Sequence, residues 1–228
     1  GGGGTETFGG CANSYSGSTT ITSGALVVQC LSNGGTNSSI GASSNAASNL
    51  ILTNATLTYN GSGDSTDRLL TAGGTITQIF SSGTGALNFA NTGAIVFTAG
   101  TTTPTTISLG GTNTDDNKFA LRINDNGTYR TALTKRDAGT WILTNAANTY
   151  TGVTNISAGV LGVDTLANGG VASSIGASSN AAANLILGTN STLRYTGVGS
   201  STDRLFTLGV GTTAIESVGS GAIAFTNT

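Results

Sequence analysis

The chain has 228 residues, long enough for a full core or for a short piece of something elongated. Only 8% of them are charged and 6% aromatic, 36 are Gly, and the net charge is −2. Ordinary domains carry about 25% charge, and with no His in the chain both a Ser-His-Asp triad and His metal ligation are excluded. The Lys and Arg residues form no stripe, which argues against a nucleic-acid partner. No apolar stretch of about 18 residues is present, so no membrane insertion by this segment is expected. The chain contains no Met and begins Gly-Gly-Gly-Gly, as a processed product or an excerpt would.

Taken in order, short apolar runs recur every 8 to 12 residues or so, separated by Gly, Asn and Ser. They include ALVV (25–28), NLIL (49–52), ATLTY (55–59), DRLL (67–70), ITQIF (76–80), ALNF (86–89), AIVF (94–97) and TISL (106–109). Many Thr, Val and Ile and a single Pro, Pro104, favour strands, and no stretch reads as a helix. The expected fold class is all-β.

Nine of the charged residues gather between 115 and 137, among them Asp115, Asp116, Lys118 and Asp125. Within this stretch KFALRI-NDNG-TYRTAL reads as two strands around a turn at Asn124, Asp125, Asn126 and Gly127, an exposed hairpin able to project from the body. The carboxylates lack EF-hand spacing and its closing Glu, so a solvated turn is expected rather than a metal site. No phosphate loop, dinucleotide fingerprint or nucleophile elbow is found, and neither catalysis nor a cofactor is expected.

Self-similarity then organises the whole. SSIGASSNAA at 38–47 recurs unchanged at 173–182, a shift of 135. Cys11 to Val28 aligns with Ala146 to Val163 at the same shift. One insertion near Gly188 makes it 136, so STDRL at 65–69 matches 201–205. We read 1–228 as a single segment holding one copy at 3–137 and a partial copy at 138–228. Three strands with turns make a coil of roughly 25 residues, hence five or six coils per unit, stacked about 4.8 Å apart as a parallel β-helix or β-solenoid. A β-sandwich is the competing architecture, but it does not explain a long-period repeat.

Recurring positions carry further expectations. Gly17, Gly24, Gly152 and Gly159 are expected to hold turns with positive φ or to have no room for a Cβ. Asp67-Arg68 and Asp203-Arg204 recur, and are expected to pair with neighbouring coils or cover the outer face. Tyr15 matches Tyr150 and Tyr59 matches Tyr195, either half-buried near turns or an exposed ladder for sugar rings. Cys11 and Cys30 are the only cysteines, 19 positions apart, and are expected to form a disulfide if the chain is exported.

The stretch 133–163, LTKRDAGTWILTNAANTYTGVTNISAGVLGV, resembles the autotransporter-associated β-strand repeat, also called the passenger-associated transport repeat. The matching residues are Leu133, Thr134, Lys135, Gly139, Thr140, Leu143 and Thr144, then Ala147 through Gly152, then Ile156, Ala158, Gly159, Leu161 and Val163. Arg136-Asp137 departs from the pattern, where small residues are usual. The resemblance implies a bacterial, extracellular or cell-surface β-solenoid: a stalk, fibre or adhesive scaffold without catalytic activity. Two alternatives stand beside it, a head-to-tail filament subunit and a polysaccharide-binding or polysaccharide-cleaving β-helix. Expected partners are a host or matrix surface, or the chain itself stacked end to end.

Overall fold

A computed structural model describes residues 3–100 and 102–227. The chain opens with β1 (Thr5–Phe8), β2 (Thr19–Ile21) and β3 (Gly24–Val28). The long β4 (Leu50–Tyr59), β5 (Ser62–Thr66) and the long β6 (Thr71–Ser81) follow, then β7 (Gly85–Phe89) and β8 (Val96–Phe97). Next come β9 (Thr105–Gly110), β10 (Asn117–Phe119), β11 (Thr131–Lys135) and β12 (Thr140–Leu143). The last eight are β13 (Thr154–Ile156), β14 (Gly159–Val163), β15 (Leu185–Leu187), β16 (Ser191–Tyr195), β17 (Ser200–Thr202), β18 (Thr207–Leu208), β19 (Thr213–Ser217) and β20 (Ile223–Phe225). The only helical pieces among the described residues are single 3₁₀ turns at Ala47–Asn49 and Ala182–Asn184.

Every strand pair is parallel, and strands adjacent in space are one coil apart in sequence, which makes the chain a β-solenoid. One face runs β1-β3-β4-β6-β9-β11-β13-β15-β18, and a second runs β5-β7-β10-β12-β14-β16-β19. The third is less regular. It starts with β2 and β8, which pair with the first halves of β4 and β6. It continues through the bridge of Ala94 to Arg122 and ends in the β17–β20 pair. β4 and β6 each serve two faces because they turn a corner within the strand. Asn54 at φ 49° and Gly74 at φ 68° make these corners, and the register between the strands slips there.

Alternation decides which side chains face inward. In β4 the burial of Leu50, Leu52, Leu57 and Tyr59 alternates with half-exposed Ile51, Thr53, Thr56 and Thr58, the period-2 pattern of a strand with one wet face. Stacked coils place like on like: Phe89, Phe119 and Trp141 form an aromatic column with ring centroids 5.6 and 6.3 Å apart. Each such side chain contributes roughly 1.5–3 kcal/mol by leaving water. Buried Asn117 ties three coils together, its Oδ1 accepting from Leu87 N at 2.7 Å and its Nδ2 donating to Thr140 O at 2.8 Å.

Coil length is far from uniform. Thr5 stacks on Ala25, 20 residues on, Ala25 on Thr56, 31 on, and Thr56 on Gln78, 22 on. The long coil is the one that carries SSIGASSNAA.

The hairpin expected at Asn124, Asp125, Asn126 and Gly127 is not formed. β10 lies in the seven-stranded sheet and β11 in the eleven-stranded one, so the flanking segments continue the coil instead of pairing with each other. Leu121 and Ile123 are drawn into the core, and only a tight bridge between Asn126 and Tyr129 is antiparallel. Asp125 is the reason the turn stays down. Its Oδ1 accepts from Thr131 N at 2.8 Å and Thr151 N at 2.9 Å, and its Oδ2 from Thr151 Oγ1 at 2.6 Å, which staples it to the next coil.

Candidate functional site

The recurring loops are closed from inside by arginine. Arg68 is 1% exposed and points into the coil rather than out. Its Nε donates to Ser32 O at 3.0 Å, Nη1 to Ser43 O and Oγ at 3.0 and 2.9 Å, and Nη2 to Gly41 O at 3.0 Å. Arg204 repeats the pattern on Ala167 O, Ser178 O and Oγ, and Gly176 O. Burial lowers both guanidinium pKa values, although arginine keeps its charge. Carbonyl dipoles, not a facing carboxylate, therefore solvate each cation. The preceding aspartates close the loop's outer side: Asp67 Oδ1 accepts from Gly34 N at 2.7 Å, and Asp203 Oδ1 from Gly169 N at 2.7 Å. Within SSIGASSNAA the glycine and the third serine supply three of the four ligands common to both guanidiniums, and the fourth, Ser32 O or Ala167 O, comes from the segment before it.

Three of the four recurring tyrosines turn inward as well. Tyr59 and Tyr195 are buried, and their hydroxyls accept from Gly63 N and Gly199 N at 2.8 and 2.9 Å. Tyr150 is buried against Thr154, while its counterpart Tyr15 is 40% exposed. Burial pushes the Tyr59 hydroxyl up to about 12 and raises that of Tyr150 further. No exposed aromatic ladder results.

Cys11 and Cys30 are joined, with Cα atoms 5.3 Å apart. Ser39 braces the link, accepting from Cys30 N at 3.0 Å and donating to Gly10 O at 2.9 Å. In the other copy the cysteines' counterparts are Ala146 and Thr165, and Ser174, the counterpart of Ser39, accepts from Thr165 N at 3.1 Å and donates to Asp164 Oδ1 at 2.7 Å.

Gly24 and Gly159 have φ of 74° and 68°, and a Cβ on either would strike a backbone carbonyl of the preceding coil, that of Gly4 or Asp137. Gly152 has no positive φ, but a Cβ there would meet Thr131 O. Gly17 departs from the expectation: it has neither a positive φ nor any atom near a built Cβ.

The motif's lysine was not singled out from the sequence as a site. Lys135 is fully buried, and its Nζ donates to Arg136 O at 2.7 Å, Asp137 O at 2.8 Å and Ala158 O at 3.1 Å. Burial brings its pKa down to about 8, opposed by the nearby Asp137 carboxylate. Among the described residues no group of three or more His, Cys, Asp or Glu converges to hold a metal ion. Among the described residues no helix is long and apolar enough to cross a membrane.

Residues 1–28 and 133–163 match the family model of the passenger-associated transport repeat. The whole chain is 58% identical over 228 residues to the Adhesin BmaC autotransporter of Brucella suis biovar 1 (strain 1330). It spans 7% of that protein's length. No solved structure matches the chain.

Proposed function

We propose that this chain is a segment of a bacterial cell-surface β-solenoid, an extracellular stalk and adhesive scaffold that catalyses no reaction. The observation carrying this reading is the continuous parallel ladder, in which the buried polar groups named above serve the stacking of coils. Its end-to-end similarity to a piece of an autotransporter adhesin supports the surface location and the adhesive role. Partners of such a scaffold are host or matrix surfaces. Beads coated with the purified chain should be retained on immobilised host matrix. Retention no greater than that of beads bearing an unrelated β-solenoid would overturn the adhesive role.

End-to-end stacking of copies is a second reading, supported by the two outermost rungs. β1 pairs only with β3 and β19 only with β16 among the described residues, so each offers an outward backbone edge. A strictly monomeric species by light scattering at high concentration would remove it.

A further inference from the structure

Arg136 and Asp137, the one departure from the repeat pattern, occupy a prepared place on the outer face. Lys135 holds both of their carbonyls from below. Asp137 sits at φ 61°, a left-handed conformation that a residue with a side chain seldom adopts and that the surroundings must enforce. Its Oδ2 accepts from Gly111 N at 3.0 Å. Arg136 lies with its guanidinium carbon 5.5 Å from the centre of the Phe80 ring and its Nε 3.6 Å from Asp137 Oδ1. Gly110 leaves the space: a Cβ there would lie 2.6 Å from Asp137 Oδ2 and 2.9 Å from Arg136 Cγ.

This pair borders an open groove of about 430 Å³ on the eleven-stranded face. Ser108, Thr134 and Asn155 line it as one register row across β9, β11 and β13. Rungs about 4.8 Å apart set these polar side chains in a line along the solenoid axis. Ser108 Oγ is buried and finds no hydrogen-bond partner, a cost of about 1–3 kcal/mol for an isolated hydroxyl. Among the described residues, the terminal nitrogens of Arg136 donate to no protein group, and the side chains of Thr134 and Asn155 make no hydrogen bond.

We propose that this groove binds a neutral, hydroxyl-rich saccharide chain laid along the axis. A sugar presents donors and acceptors on every side, and the groove answers with both: Arg136 to donate, Asp137 to accept, and Asn155 and Thr134 to do either. The opposite charges of Arg136 and Asp137 cancel, and the chain's net charge of −2 disfavours a polyanion. The groove's lining is mostly polar, with Ile76 and Ala158 as its apolar members, which suits a sugar better than a hydrophobic peptide anchor. Rigid backbone under the charged pair lowers the ordering cost of binding. The proposal rests on the adhesive reading and supplies its contact chemistry.

The test is titration of the ¹⁵N-labelled chain with neutral oligomers of glucose, mannose, galactose and N-acetylglucosamine, with oligogalacturonate as the anionic arm. At least one neutral oligomer should shift the amides of Thr134, Arg136 and Asn155 saturably. Arg136→Gln and Asn155→Ala should each weaken that binding tenfold or more while melting at the parent temperature. No response to any neutral oligomer, a response to oligogalacturonate alone, or variants binding as the parent does would each overturn the groove. Bead retention that persists through such a failure would leave the adhesive reading standing and remove only the saccharide.

Discussion

Arg68 and Arg204 hold their loops by solvating a cation with carbonyls, and each removal should be felt at once. Arg68→Ala would take one donor from each of the Ser32, Gly41 and Ser43 carbonyls, which keep only Thr66 Oγ1, Ser38 Oγ and Gly35 N, and would empty a buried site, at a cost of about 3 kcal/mol in chemical denaturation. Arg68→Lys should recover little, because an ammonium lacks the planar fork that reaches three carbonyls and a hydroxyl together. Unchanged stability in the alanine variant would mean that the loop closes without the clasp. Lys135 gives a second prediction, with a sign fixed by linkage. Its folded pKa of about 8 lies below its ordinary value of 10.5, so between these values the unfolded chain binds more protons. Stability should therefore rise as pH increases from about 8. The raised Tyr59 and Tyr150 hydroxyls act the other way, but only above about pH 10, where unfolded tyrosine ionises. The window from pH 8 to 10 belongs to Lys135, and Lys135→Met should flatten it. A rise that survives in Lys135→Met would assign it to another group.

At the scale of elements, the glycines separate crowding from conformation. Gly152→Val should cost about 2 kcal/mol or more, since its Cβ would press on the Thr131 carbonyl of the neighbouring coil. Gly17→Val should change stability by no more than about 0.5 kcal/mol, having open space and no positive φ. Thermal melts of the two variants side by side decide this, and equal losses would refute it. The same pair marks what the sequence discloses and what it hides. Alternation in runs such as ATLTY at 55–59 identifies strands and their buried side, because period 2 is a local property. The direction of Arg68 is not local. Its partners lie 25 to 36 residues earlier, and a lone Arg ordinarily reads as a surface residue. The stretch 118–133 misled for a related reason: Asn-Asp-Asn-Gly is strong hairpin chemistry, yet parallel partners in the adjacent coils outcompete the antiparallel one. Asp125 reaches Thr151, 26 residues on, and no short-range pattern reports that bond. The groove at Arg136 was legible only as a departure from the repeat.

For the whole molecule, the repeat and the solenoid are out of step. β13 is the sequence counterpart of β2 and β14 that of β3, at the shift of 135. Yet β13 stacks in the column of β3, and β14 stacks in the column of β5 and β7. β17, counterpart of β5, has moved on again to the third face with β20. Following one column, Thr56 stacks on Gln78, Ser108, Thr134, Asn155 and Ile186 in turn, five coils in all. The counterpart of Thr56 at the shift of 136 is not Ile186 but Thr192, one face further round. One unit thus amounts to five coils and a third, and a feature recurring once per unit is carried around the solenoid face by face. Equivalent loops, clasped by Arg68 and Arg204, point in different directions, so no single side of the solenoid collects them. Spin labels test this directly. The pair at Thr56 and Ile186 should lie about 24 Å apart along one face, five rungs at about 4.8 Å each. The pair at Thr56 and Thr192 should be longer, because it crosses the solenoid to the adjacent face. Equal distances for the two pairs would put the repeats in phase and return every copy of the loop to one side.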